Sequence, residues 1–124
     1  MIHIPASIAP KFEIPHAVFT GLASPSRGAR ETAVWRVKLA PGATPLVHQL
    51  TREEVFVALA GTAQVTVAGQ IVDFAAGSAL IVPPDTDFSL ANAGPDPFEA
   101  IAVLPVGGMA RIGSDAPFTP PWAA

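Results

Sequence analysis

Two spaced runs, Gly42-x5-His48-x-Leu50-x3-Glu54-x6-Gly61 and Gly77-x5-Pro83-x-Asp85-x2-Phe88-x3-Asn92, occupy the middle of the chain. Between their glycines and prolines lie short apolar stretches. Residues 47–50 read as a strand that sets His48 and Leu50 on one face, because side chains two apart on a strand point the same way. Thr51-Arg52-Glu53 turns the chain. Glu54–Ala60 is then apolar on both faces, with Phe56 and Ala58 opposite Val55, Val57 and Leu59. Such a strand lies inside a sandwich, or between a core and a partner. Residues 63–67 and 70–74 form a hairpin closed by Ala68-Gly69. After Ala75-Ala76-Gly77, residues 78–82 read as a buried run. Pro83-Pro84-Asp85-Thr86 turns next, with a type I geometry expected because aspartate tolerates a positive φ less well than glycine. Residues 88–91 and 98–104 complete the strands, joined by a turn over 92–97.

Upstream, residues 32–40 alternate: Trp35, Val37 and Leu39 share one face, Val34, Arg36 and Lys38 the other. Pro41-Gly42 ends that strand. Residues 1–31 read as an extended arm, since Pro5, Pro10, Pro15 and Pro25 break any helix. The arm can pair as an edge strand or lie on a neighbouring subunit. Its His3 and His16 are expected to be solvated or capping. Residues 106–124 form an extension whose segment Pro117-Phe118-Thr119-Pro120-Pro121-Trp122 cannot be a helix. Its aromatics are expected to dock on the body or on a partner. Many short strands separated by glycine and proline turns mean an all-β sandwich or barrel, here one domain at 32–105 with an extension at each end.

Half of the 124 residues are hydrophobic and only 14% are charged. That is apolar for one small domain, so part of the excess is expected to cover a partner subunit. A net charge of −3 offers no basic surface for nucleic acid. Without cysteine, disulfide and thiolate chemistry are excluded. No apolar run approaches the roughly 18 residues of a membrane span, and the first 19 residues lack the pattern of a targeting segment. A cytoplasmic protein without a membrane partner is therefore expected.

The two runs together resemble the paired motifs of the cupins. The likeness extends over roughly residues 32–105 and rests on the motif glycines, His48, Glu54, Pro83 and Asn92. It implies a double-stranded β-helix, the jelly-roll barrel of RmlC-like proteins, commonly dimerised through a sheet. It also implies a metal held by a His-x-His pair, a glutamate and a later histidine, a set that suits Mn, Fe, Ni, Zn or Cu. This chain departs from that pattern twice: Leu50 stands for the second histidine of the pair and Phe88 for the later one. Only His48 and Glu54 remain, with Gln49 or Gln64 as poor substitutes if either turns inward. No cofactor is expected, beyond weak binding of a divalent transition metal by His48 and Glu54.

Without a metal, His48 and Glu54 could still exchange a proton with a small organic molecule. Burial should raise the pKa of Glu54, while a protonated His48 would oppose that rise. Leu50, Phe56, Phe88 and Trp35 would wall the site. Gln64 could join it, and Arg36 could clamp a carboxylate if its face is the inner one. Four readings stand side by side: acid–base chemistry of isomerase, lyase or cyclase type at His48 and Glu54; a non-catalytic binding or sensing module; a metal-dependent oxidoreductase of dioxygenase kind with an unusual ligand set; and a structural dimer with a filled barrel. In the blander view of the pair itself, His48 and Glu54 hydrogen-bond each other and hold two strands in register.

Overall fold

A computed structural model describes all 124 residues. The architecture is an all-β jelly roll. Six strands form the larger sheet: β1 (Lys11–Ile14), β2 (Ala17–Ala23), β3 (Thr32–Leu39), β5 (Glu54–Ala60), β8 (Ala79–Val82) and β10 (Phe98–Pro105), in spatial order β1-β2-β3-β10-β5-β8. The opposing sheet holds β6 (Thr62–Val67), β7 (Gln70–Ala75) and β9 (Phe88–Ala91), in order β7-β6-β9. A short pair, β4 (Gln49–Leu50) with β11 (Ala110–Arg111), sits at one end.

Alternation sets the inner face. On β3, Ala33, Trp35, Val37 and Leu39 are buried; on β10, Phe98, Ala100, Ala102 and Leu104 are; on β5, Glu54, Phe56 and Ala58 are. Inner residues of the second sheet meet them. Phe74 lies 5.7 Å from Phe98 and Phe88 lies 6.0 Å from Phe56, ring centre to ring centre. Interdigitated aromatic pairs of this kind add to the stabilisation from burial alone.

Asn92, the last residue of the second run, is fully buried and fully used. Its Nδ2 donates to the Leu39 and Asp96 carbonyls at 3.0 and 2.9 Å, and its Oδ1 accepts from Gly94 N–H at 3.1 Å. It thereby locks the turn after β9 to the end of β3. Gly61, at φ +73°, is required between β5 and β6 because any Cβ there would run into the Pro97 carbonyl.

The stretch 1–31 takes the first of its two expected courses and pairs at the sheet edge: β1 and β2 extend the large sheet, β2 pairing with β3 from Ala17↔Leu39 to Ala23↔Val34. Three expectations change. Residues 78–82 are not a buried run. Strand β8 is the sheet edge and only Val82 is buried, with Ile81 62% exposed. Asp85 adopts φ +53° after Pro84, so the turn carries the positive φ of the glycine it replaces and is not type I. Its N–H donates to the Leu50 carbonyl at 2.8 Å, which fixes that geometry. The extension after residue 105 has no α-helix but ends in one 3-10 turn, Pro121–Ala123. Trp122 in that turn stacks on Phe19 of β2 at 3.7 Å and 5° between planes. No helix is long and apolar enough to cross a membrane.

Candidate functional site

The barrel is not filled. A cavity of about 220 Å³ opens at the end where β4 and β11 pair. Its wall is mostly hydrocarbon, and only three of its side chains, Thr44, His48 and Glu54, bear polar atoms apart from the Trp35 and Trp122 indoles. Parity delivers the functional pair. His48 bridges to Phe88 just before β4, and Glu54 begins β5 with its side chain on the same inner face as Phe56 and Ala58.

The two groups are not bonded to each other, contrary to the idea of a register-holding hydrogen bond. His48 Nδ1 instead lies 2.9 Å from the Leu46 carbonyl. A carbonyl only accepts, so Nδ1 carries the hydrogen, and in the neutral ring Nε2 keeps its lone pair. Burial lowers the pKa of His48 below 6.5, with the Leu46 bond opposing that shift. Near pH 7 the ring is neutral. Glu54 is 3% exposed. Lost hydration alone pushes its pKa up from 4.5 to about 8. At neutral pH its carboxyl holds a proton and is a donor without a partner in the protein.

Of the other expected site residues, Leu50 and Phe56 line the cavity, and so does Trp35. Phe88 does not reach it. That ring is fully buried behind His48, 4.2 Å away centre to centre, and supports the imidazole from the rear. Arg36 is exposed on the outer face of β3, 4.0 Å from Glu99, so the condition for a carboxylate clamp fails. Gln64 is likewise exposed on the outer face of β6. Gln49 is bonded through Nε2 to Asp87 at 2.8 Å, away from the cavity. Several wall residues were not anticipated: Ile14 and Phe19 from the first strands, Leu46 before β4, and Ile112, Phe118 and Trp122 from the C-terminal stretch. The sequence signal was present only as aromatic residues among prolines, which foretells docking but not where.

The donor set does not fit a resident metal of the kind the motifs imply. Two of the four ligand positions are hydrocarbons, and no three His, Cys, Asp or Glu residues gather anywhere in the fold. Catalytic metal sites generally use three protein ligands.

Residues 35–104 match the Cupin domain family. The chain is a cupin. Among solved structures, this cupin superposes on the polyketide cyclase RemF from Streptomyces resistomycificus with a TM-score of 0.75, at 15% identity over 85% of this chain and 79% of the other. An RmlC-like cupin from Shewanella frigidimarina gives 0.72 at 20% identity, covering 83% and 88%. A variant of Bacillus subtilis oxalate decarboxylase OxdC gives 0.73 at 18% identity, covering 82% of this chain and 29% of the decarboxylase. At such identities the likeness is one of fold. No curated protein matches this cupin.

Proposed function

We propose that this cupin binds a small organic molecule in its barrel and moves a proton on it with His48 and Glu54, without a resident metal. One observation carries the reading: the only two titratable side chains of an apolar cavity are a neutral imidazole and a protonated carboxyl, and neither His48 Nε2 nor the Glu54 carboxyl is engaged within the protein. General acid–base catalysis needs a base that is unprotonated and an acid that still holds its proton at the working pH, and burial keeps His48 and Glu54 in those states near pH 7.

The chemistry is enolisation. His48 Nε2 takes a proton from carbon next to a carbonyl, the C–H pair becomes the C=C bond, and the carbonyl oxygen takes the proton of Glu54. The products are enol, imidazolium and carboxylate. When a second C=C is conjugated with the enol, the imidazolium returns its proton to the γ-carbon, the enol O–H returns its proton to the Glu54 carboxylate and the double bond has moved, which completes an isomerisation; attack of the enol carbon on an electrophilic carbon of the same molecule, or departure of a β-substituent with its bonding pair, gives the cyclase and lyase variants.

The test is solvent-deuterium exchange at the α-carbon of a small cyclic ketone, followed by NMR. His48→Ala should lower the protein-dependent exchange by about 10²–10⁴-fold with an unchanged circular dichroism spectrum. Exchange at the wild-type rate in that variant eliminates the reading.

A non-catalytic binding or sensing module is the second reading, favoured by the predominance of hydrocarbon in the wall, which needs no titrating pair to hold a ligand. A ligand that raises Tm equally in wild type and in Glu54→Gln, without exchange in either, selects it. No observation favours the oxidoreductase reading. The exposed apolar side chains of Val57, Leu59 and Ile81 on the outer face of the large sheet support a homodimer.

A further inference from the structure

We propose that the molecule held in the barrel is an uncharged compound of one or two fused rings with a single hydrogen-bond-accepting oxygen, and that carboxylates, phosphates and amines of the same shape are rejected. The inference deepens the acid–base reading and rests on it for the roles of His48 and Glu54.

Size sets the first limit. A cavity of about 150 Å³ lined by aliphatic and aromatic side chains holds a benzene ring. The 220 Å³ here therefore has room for one ring with substituents or for two fused rings. The wall is suited to flat faces: Trp35 and Phe56 stand on the inner side of the large sheet, and the parallel Phe19–Trp122 stack contributes to the wall from the first strands and the C-terminal turn. Ring edges and faces pack well against such surfaces.

Charge sets the second. No lysine or arginine lines the cavity. Arg36 points outward near Glu99, and Arg111 pairs with Asp85 at 3.6 Å. A carboxylate or phosphate would lose its water with no counter-charge in reach, and Glu54 would be beside it. An ammonium fares little better, because its one prospective partner, Glu54, holds its proton at neutral pH, and His48 offers only a neutral lone pair.

Polarity sets the third. A sugar or other polyol would bury several hydroxyls against hydrocarbon, where each unpaired group is costly. An acceptor oxygen is what the Glu54 O–H can satisfy, and beside it only Thr44, His48 and the two indoles offer polar atoms, too few for a polyol.

A matched series decides it. The folded protein is titrated calorimetrically at pH 7 with 1-tetralone, 1-naphthoate and 1-aminotetralin, which share a bicyclic frame and differ in charge. The ketone should bind at least tenfold more tightly than either ion. An ion that binds as tightly as the ketone overturns the proposal, as does a ketone that gives no heat at millimolar concentration. Failure of the acid–base reading looks different: the ketone binds with the stated preference, yet exchange at its α-carbon stays at the rate in buffer.

Discussion

Glu54 makes the stability of this cupin depend on pH in an unusual direction. Its folded-state pKa of about 8 lies above the ordinary 4.5. Between those values the folded chain keeps a proton that the unfolded chain has released. Stability therefore falls as pH rises through the window, by up to ~1.4 kcal/mol per pH unit, and the loss levels off above the folded pKa. His48 acts oppositely. Its pKa is lowered from 6.5, so the unfolded chain takes a proton first on acidification, and stability is lost as pH drops below 6.5. Across the interval from pH 6.5 to 8 the opposing His48 contribution fades within the first pH unit and Glu54 dominates. Urea midpoints of the wild type should decline across it, and those of Glu54→Gln should stay nearly level. Parallel slopes in the two proteins would mean that Glu54 is not the group responsible. At this scale the sequence placed the pair together with Leu50, Phe56 and Trp35 at the cavity and left Arg36 and Gln64 unassigned, for one reason. A period of two separates the faces of a strand but does not label them. His48 and Glu54 were placed by motif spacing, whereas Arg36 and Gln64 had only parity, and both went to solvent. The apolar trio Trp35, Val37 and Leu39 on the opposite face was the signal that could have assigned Arg36 outward.

Among the elements, the turn from β8 to β9 is one of three places, with His16 and Ala68, where a residue other than glycine takes a positive φ. Asp85 sits at φ +53°, a region costly for a residue with a Cβ. The chain accepts it because the Leu50 carbonyl takes the Asp85 N–H and so ties this turn to β4. The ion pair with Arg111 offsets little, since the Asp85 side chain is 65% exposed. Asp85→Gly should therefore stabilise the fold by about 1 kcal/mol, read as a higher urea midpoint at unchanged slope. A lower midpoint would assign the Arg111 pair a weight that its exposure argues against. Turn chemistry was legible here as punctuation but not as conformation, because Pro-Pro-Asp permits two geometries and a tertiary hydrogen bond selects between them. The same limit explains β1 and β2. Prolines at 10 and 15 bracket Lys11–Ile14 without interrupting it, and pairing with β3 turns a stretch that looks broken into continuous sheet.

Over the whole molecule, the feature that the barrel itself does not explain is its outer surface. Val34, Val103, Val55 and Ile81 stand side by side across four neighbouring strands, and Ile101, Val57 and Ala79 form the next row. Exposure reaches 62% at Ile81, 44% at Leu59 and 39% at Val57. Isolated apolar residues on a surface are ordinary, but a contiguous patch marks an interaction site. The sequence had already indicated it, since β5 is apolar on both faces and only one face can serve the core. A second copy of this chain is the occupant we expect. Light scattering should then give a mass near twice 12.7 kDa at tens of micromolar. Replacing Val57 and Ile81 together by aspartate should bring it down to the single-chain value. Because Val57 points away from Glu54 and Phe56, those changes should leave affinity for a neutral ketone within about twofold, as expected for sites that share no partners. A wild type that runs as a single chain removes the dimer. A double variant that dissociates and also loses the ketone would mean that pairing props open the cavity, so that the binding site belongs to the assembly and not to one barrel.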